Sequence, residues 1–433
     1  MHSKKKPFLF AQRQFFRLWL GQVTSQAGTR VYQIAIVWWI LTSSAEHGGF
    51  SLGAFMVAGA LPSLLFYKLI GRVVDRMPAK VMLVACDLSS AALMGYIAWC
   101  LSNETLTLEM AYIFGFLVAV AEGFFNPAIT KCLPSLVSEE DLEQAVAYQA
   151  STQYLASFGG SVLGALLIAW LGIPLLVMIN AISYVFSALI EMTLEFPETV
   201  SDKASADGTE HIDSVETRPA TEPENHDTDT KALWQKFPLL KQLLIGFGLV
   251  NFFATPTLVI VPLYVQKSLE GNATIMGLLE AALWIGILIG TFVAAMIRTQ
   301  GRTIRMGSLS MMIYGVCMIV PGLLINTWAF GLALMLAGAS LGINNVKFVT
   351  LFQRVVPDQV KGRFFAAMQA IIGFSFPVAY LAFGYLGDLM SPARLCLIQA
   401  AGIILVAIWF YHLAPGEAAL MNYEETSEKM SAE

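Results

Sequence analysis

The chain has 433 residues, of which 56% are apolar and 13% charged, with a formal net charge of −5 and a mean hydropathy of +0.64. Soluble domains run near 45–50% apolar and roughly 25% charged, so this composition excludes a water-facing enzyme and indicates an integral membrane protein. No basic face is dense enough to hold nucleic acid.

The opening MHSKKKPFLF is followed by a long apolar stretch with no small-residue cleavage site, so the first helix is expected to be retained. A spanning helix needs about 20 mainly apolar residues. Runs of that kind fall at about 15–42, 51–71, 80–102, 108–130, 145–170 and 173–195, and again at 241–266, 274–297, 304–326, 328–350, 362–387 and 392–412. The expected fold is an all-α integral membrane protein with twelve transmembrane helices in two pseudo-symmetric six-helix bundles. The N-terminal bundle is assigned to residues 1–196 and the C-terminal bundle to 241–412. Between them, 197–240 is rich in Glu, Asp, Thr, Ser and Pro, and reads as a disordered acidic linker. Residues 413–433 read as an acidic tail.

Positive charge orients the spans. Lys4, Lys5, Lys6, Arg13 and Arg17 open the first; Arg72, Arg76 and Lys80 follow the second; Lys131 follows the fourth. Lys231, Lys236 and Lys241 end the linker, and Arg298, Arg302, Arg305, Arg354, Lys361 and Arg363 follow the eighth and tenth spans. The alternate loops hold only Lys267 and Arg394. Both termini are therefore expected in the cytoplasm, in a bacterial inner membrane. A shift of 219 residues places Gly123 on Gly342, Asn126 on Asn345 and Val137 on Val356, an echo between the halves. Repeats of this kind bind substrate near the midplane and rock about it.

The loop after the second span reads Gly71-Arg72-Val73-Val74-Asp75-Arg76-Met77-Pro78-Ala79-Lys80. It resembles the loop signature of the major facilitator superfamily, matching at Gly71, Asp75, Arg76 and Lys80 and departing at Pro78 and Ala79. The resemblance implies a latch that holds the halves in the outward-facing state. In physical terms Gly71 is expected to let two helices approach, while Asp75 pairs with Arg76 or caps a helix N-terminus. Gly21-Gln22-Val23-Thr24-Ser25-Gln26-Ala27-Gly28, Phe125-Asn126-Pro127-Ala128, Leu133-Pro134, Leu136-Val137 and Ala181-Ile182-Ser183-Tyr184 resemble the macrolide-efflux-like, drug:proton antiporter subgroup. That subgroup usually carries Asp where Thr29 and Arg30 stand. Gly159-Gly160-Ser161-Val162-Leu163-Gly164 lacks the Pro typical of antiporters, and its small residues also suit close helix packing.

Ionisable residues inside spans are costly in hydrocarbon and mark function by default. Arg30, midway along the first span, is expected to face a central cavity and either bind an anionic group or pair with a carboxylate. Glu122 is the best acidic partner, with Asp87 and Glu280 as further candidates for substrate binding or proton coupling. Glu191 and Lys347 read as snorkelling to headgroups. Gln22 shares a face with Gln26, Arg30 and Gln33. Gln26, Gln33, Gln149, Gln153, Tyr154, Asn251, Asn345 and Gln369 are candidate cavity-lining residues, and Pro256 and Pro262 are expected to bend the seventh span.

Cys86, Cys100, Cys132, Cys317 and Cys396 show no paired or metal-binding spacing, and HExxH, GxSxG and P-loop patterns are lacking. The reading is a cofactor-free, metal-free secondary transporter, not an enzyme, acting as a monomer on a small-molecule substrate with a proton or other ion gradient. Export of amphipathic molecules leads; an anionic metabolite or siderophore, exported or imported, is the alternative. A non-transporting membrane receptor or assembly partner is the alternative of another class.

Overall fold

The computed structural model describes residues 12–44, 47–138, 141–195, 238–297, 299, 301–356 and 358–417. The linker assigned to 197–240 lies outside the described residues up to 237, and the tail assigned to 413–433 does so from 418. Every regular element is helical: α1 Arg13–Ser43, α2 Gly48–Leu65, α3 Tyr67–Arg76, α4 Ala79–Ser102, α5 Leu108–Leu136, α6 Leu142–Met192, α7 Pro238–Ala254, α8 Thr257–Lys267, α9 Ala273–Met296, α10 Thr303–Leu323, α11 Thr327–Val355, α12 Asp358–Leu389 and α13 Pro392–Leu413.

Breaks and caps explain how these make twelve passes. α6 is two limbs joined at Gly172, whose φ of +72° is accessible to glycine and strained for other residues. Pro62 removes a backbone donor near the end of α2, and the chain kinks at Phe66 before α3 continues the same pass. Pro256 starts α8 after a break from α7, as the prolines of the seventh span predict. Thr107, Asn272 and Asn326 each accept a backbone N–H at the start of α5, α9 and α11. Among the described residues, ten stretches are long and apolar enough to span a bilayer. One of them is doubled by the Gly172 break, and α1, more polar than the rest, completes the twelve.

α3 departs from the sequence expectation. Residues 71–76 are helical, not loop. Ile70 and Val74, one turn apart, are buried while Arg72, Asp75 and Arg76 are exposed, the pattern of an amphipathic helix end. Lys131 of α5 closes it, donating to the carbonyls of Val74, Asp75 and Met77 at 2.6, 3.0 and 3.1 Å. A cation at a helix C-terminus is well placed.

The internal repeat is visible in the helices. α5 and α11 have 29 residues each, and both their first and last residues are 219 apart. Equivalent pairs pack in each half: α2 with α5 as α9 with α11, α4 with the second limb of α6 as α10 with α13, and α1 with the first limb of α6 as α7 with α12. We call the face where α1 begins the near face and the face where it ends the far face. Three hydrogen bonds between described residues join the halves, and all lie at the far face. The Asp388 carboxylate accepts from the N–H groups of Gly49 and Phe50, both at 2.8 Å, and Gln266 donates to the Leu41 carbonyl at 2.9 Å. Backbone meets backbone beneath them, since a side chain on Gly49, Gly53 or Gly384 would run into the opposing helix.

Candidate functional site

A chamber lies between the halves, in two lobes that share Thr29, Arg30, Gln33 and Glu122. The lobe toward the near face has a volume of about 250 Å³ and is lined also by Gln26, Asp87, Asn126, Gln153, Tyr154 and Trp284. The lobe toward the far face, about 290 Å³, is more apolar and adds Phe55, Leu258, Glu280, Phe376 and Tyr380. Asn126 and Gln153 are exposed while Phe55 and Tyr380 are buried, so the chamber opens to the near face and is sealed at the far one.

Helical spacing builds the lining. Gln26, Arg30 and Gln33 fall on one stripe of α1, Glu122 and Asn126 one turn apart on α5, Gln153 and Ser157 on α6, and Glu280 and Trp284 on α9. Gly160 lets α6 lie directly against α1 here, because a side-chain carbon at that position would collide with the Arg30 Cβ and the Ala27 carbonyl. The Arg30 Nε donates to the Ser157 hydroxyl at 3.1 Å and Nη1 to the Gln33 side-chain carbonyl at 2.8 Å. Its guanidinium also lies over the Trp284 ring, 4.6 Å from the centroid. That contact crosses from one half to the other, and such a stack is worth about 0.5–1 kcal/mol when exposed and about 2 kcal/mol when desolvated. Glu280 and Glu122 are the carboxyl groups whose field reaches Arg30, yet neither forms an ion pair with it among the described residues. Gln26 Oε1, Tyr32 OH and Trp284 Nε1 are buried without a hydrogen-bond partner.

The structure thus brings together Arg30, Glu122, Asp87, Glu280, Gln26, Gln33, Gln153 and Tyr154. It does not bring Gln149, Asn251, Asn345 or Gln369 to the chamber. Asn251 donates to the Phe247 carbonyl of its own helix at 2.8 Å, and Asn345 and Gln369 are exposed. Gln22 is wholly buried and lines neither lobe. The latch residues sit on the near face, apart from the chamber. A side chain at Gly71 would meet open space, so this glycine does not serve close packing in this state. Asp75 and Arg76 are exposed, and Lys80 donates to the Leu194 carbonyl at 2.8 Å. Glu191 does not snorkel: it is wholly buried, because α6 turns its last residues inward against α4. Lys347 is also largely buried and donates to the Ile297 carbonyl at the end of α9. Ser157, Thr29, Tyr184 and Tyr380 were missed, though Ser157 follows Gln153 by one turn and that spacing marks it.

The Major Facilitator Superfamily model matches residues 18–380. The chain belongs to this superfamily. It is a multi-pass membrane protein and a secondary transporter, not an enzyme. The facilitator is 22% identical over 397 residues to Macrolide efflux protein A of Streptococcus pyogenes, covering 91% of this chain and 94% of that one. It is 24% identical over 330 residues to Enterobactin exporter EntS of Citrobacter koseri, covering 72% of each. Among solved structures, a bacterial homologue of the iron transporter ferroportin in its inward-facing state matches with a TM-score of 0.69 at 14% identity. That alignment covers 93% of this facilitator and 98% of the other chain.

Proposed function

We propose that this facilitator is a proton-coupled exporter of amphipathic small molecules, working by alternating access in the cytoplasmic membrane of a bacterium. The near face, which gathers Arg72, Arg76, Lys80, Lys131, Arg302 and Arg305, is the cytoplasmic one by the positive-inside rule. On that assignment the chamber is open inward, and substrate enters from the cytoplasm.

The observation that carries the reading is Arg30 at the centre of the chamber, stacked on Trp284 of the other half and within the field of Glu122 and Glu280. Charges in a partly dry chamber interact several times more strongly than in water. Adding a proton to either carboxyl group, or removing it, therefore changes how firmly Arg30 is held and which arrangement of the halves is favoured. Three carboxyl groups line the chamber against one guanidinium. This balance suits an amphipathic molecule with a cationic group, its apolar body in the lobe walled by Phe55, Leu258 and Phe376. The relation to Macrolide efflux protein A points to the same class.

A second reading, export of an anionic metabolite or siderophore, is favoured by Arg30 itself and by the likeness to an enterobactin exporter. A panel of cationic and carboxylated solutes in everted vesicles separates the two. Arg30→Ala abolishing only the acids would select the second. The first is tested by transport into liposomes under an imposed pH gradient, wild type against Glu122→Gln and Glu280→Gln. Full gradient-driven transport by both variants would remove these carboxyl groups from the coupling mechanism.

A further inference from the structure

Two carboxyl groups outside the Arg30 cluster lie in the interior of the N-terminal half. Asp87 of α4 is 2% exposed and Glu191, near the end of α6, is 0% exposed. Ser187, one turn before Glu191 and equally buried, stands beside both. α1 closes the cluster, since a side-chain carbon at Gly21 would be 3.1 Å from the Ser187 hydroxyl. The neighbouring Gln22 is wholly buried as well. Asp87 Oδ2, both Glu191 carboxylate oxygens, the Ser187 hydroxyl and both ends of the Gln22 amide have no hydrogen-bond partner among the described residues beyond the cluster itself.

Among the described residues, cationic side chains stop short of the pair. Arg17 and Lys80 donate instead to the carbonyls of Thr193 and Leu194, at 3.3 and 2.8 Å. The other titratable groups facing it, Cys86, Cys132 and Tyr184, bring no positive charge. Buried polar groups that serve only as packing spend their hydrogen bonds on neighbours; two carboxyl groups and one hydroxyl cannot satisfy one another, because they hold more acceptors than donors. Two acidic groups and a hydroxyl make an all-oxygen donor set, the kind a hard cation selects.

We propose that Asp87 and Glu191, with Ser187, form a buried site for one monovalent cation, a sodium ion or a proton. The site is distinct from the Arg30 cluster but is entered from the chamber, because Asp87 lines its near lobe. As a coupling site it rests on the exporter reading; as a binding site it stands alone.

The test is equilibrium binding to the purified full chain in detergent, read by tryptophan fluorescence and melting temperature. Sodium chloride is exchanged for N-methyl-glucamine chloride at fixed pH, and pH is then varied without sodium. A saturable sodium response that weakens roughly tenfold or more in Glu191→Gln, as loss of a supporting ligand does, assigns the ion as sodium. A pH response without a sodium response, flattened in the same variant, assigns it as a proton. Responses to both that are identical in wild type, Glu191→Gln and the milder Ser187→Ala overturn the proposal. Should Glu191→Gln fail to fold, Ser187→Ala, which keeps both carboxyl groups, carries the same comparison. An ion response in a protein that moves no solute under any gradient would sink the exporter reading and leave the site.

Discussion

The two halves share one helical plan and treat their buried polar groups in opposite ways. Of the buried side-chain N and O atoms without a partner among the described residues, twelve lie in the N-terminal half and three in the C-terminal half. In the C-terminal half, Gln399 donates to the carbonyls of Phe253 and Ala254 and to the Thr257 hydroxyl. Thr257 bonds Tyr314, and Tyr264 donates to the Pro321 carbonyl. In the same half Phe247, Phe348, Phe352, Phe364 and Phe410 interlock with one another. An unpaired buried polar group costs about 1–3 kcal/mol, so the N-terminal half carries the larger share of that penalty. The C-terminal half is packed as the more rigid wall, with Glu280, Trp284 and Tyr380 set into its chamber side, and the N-terminal half holds most of the unpaired polar groups.

This contrast predicts that packing changes in the C-terminal half abolish folding, while polar changes in the N-terminal half abolish transport alone. Gly286 and Gly290 of α9 lie against the backbone at Met335 and Ala339, and Gly338 and Gly342 of α11 against Leu283 and Ile287. Gly290→Val forces two backbones apart and is expected to cost about 3 kcal/mol or more. Purified yield and thermal unfolding report it, and an unchanged melting curve would break the rigid-wall picture. Arg30→Ala is next in size. It removes the hydrogen bonds to Ser157 and Gln33 and the stack on Trp284, and transport should fall by about a hundredfold, the scale of a lost positioning contact. Melting should move little, because Arg30 ties together groups that the chamber leaves partly wet. Arg30→Lys, lacking the planar fork, should recover only a small part.

Much of this was legible in the sequence, and the exceptions have physical causes. Apolar runs and the 219-residue echo marked the passes because a bilayer demands long uninterrupted helices. The Arg30 stripe was readable because Gln26, Arg30 and Gln33 repeat at helical spacing in a span where every polar residue is costly. Asn345 and Gln369 misled because one polar residue does not say which side of a helix faces the partner half. The α3 extension was missed because its charges read as loop, although Ile70 and Val74 carry an i, i+4 pattern. Glu191 was misassigned because its place near a span end resembles that of a snorkelling residue, whereas its burial depends on where α6 meets α4. Asp388 gave no signal at all: its partners are backbone groups 338 and 339 residues away.

Asp388 makes two of the three hydrogen bonds that join the halves among the described residues, so its replacement sharpens the comparison. The carboxylate caps the N-terminus of α2 across the interface and lies 3.6 Å from the Lys267 ammonium. Charge-assisted bonds of this type are worth about 1.5–3 kcal/mol. Asp388→Asn keeps the shape and one acceptor, and should shift the far-face equilibrium toward opening by about tenfold, roughly 1.4 kcal/mol. Spin labels on the exposed positions Ser43→Cys and Ile325→Cys would read the change as a second, longer distance. An unaltered distance distribution would mean that glycine packing alone closes this face.

The smallest effect is expected where the C-terminal half finishes its own packing. Glu417 was expected to lie in a free tail, yet its carboxylate is almost fully buried and accepts from the N–H groups of Thr303 and Ile304 at 2.7 and 2.8 Å. It caps α10 from the far end of the chain, as Lys80 meets Leu194 at the corresponding corner of the other half. A helix-capping side chain is worth about 0.5–2 kcal/mol, with a further contribution of about 0.3–1 kcal/mol from a negative charge at a helix N-terminus. Glu417→Ala should therefore lower the melting temperature by a few degrees and leave the transport rate of the remaining folded protein unchanged. If it altered transport instead, the α10 end that Glu417 caps would belong to the moving parts and not to the rigid packing of its half.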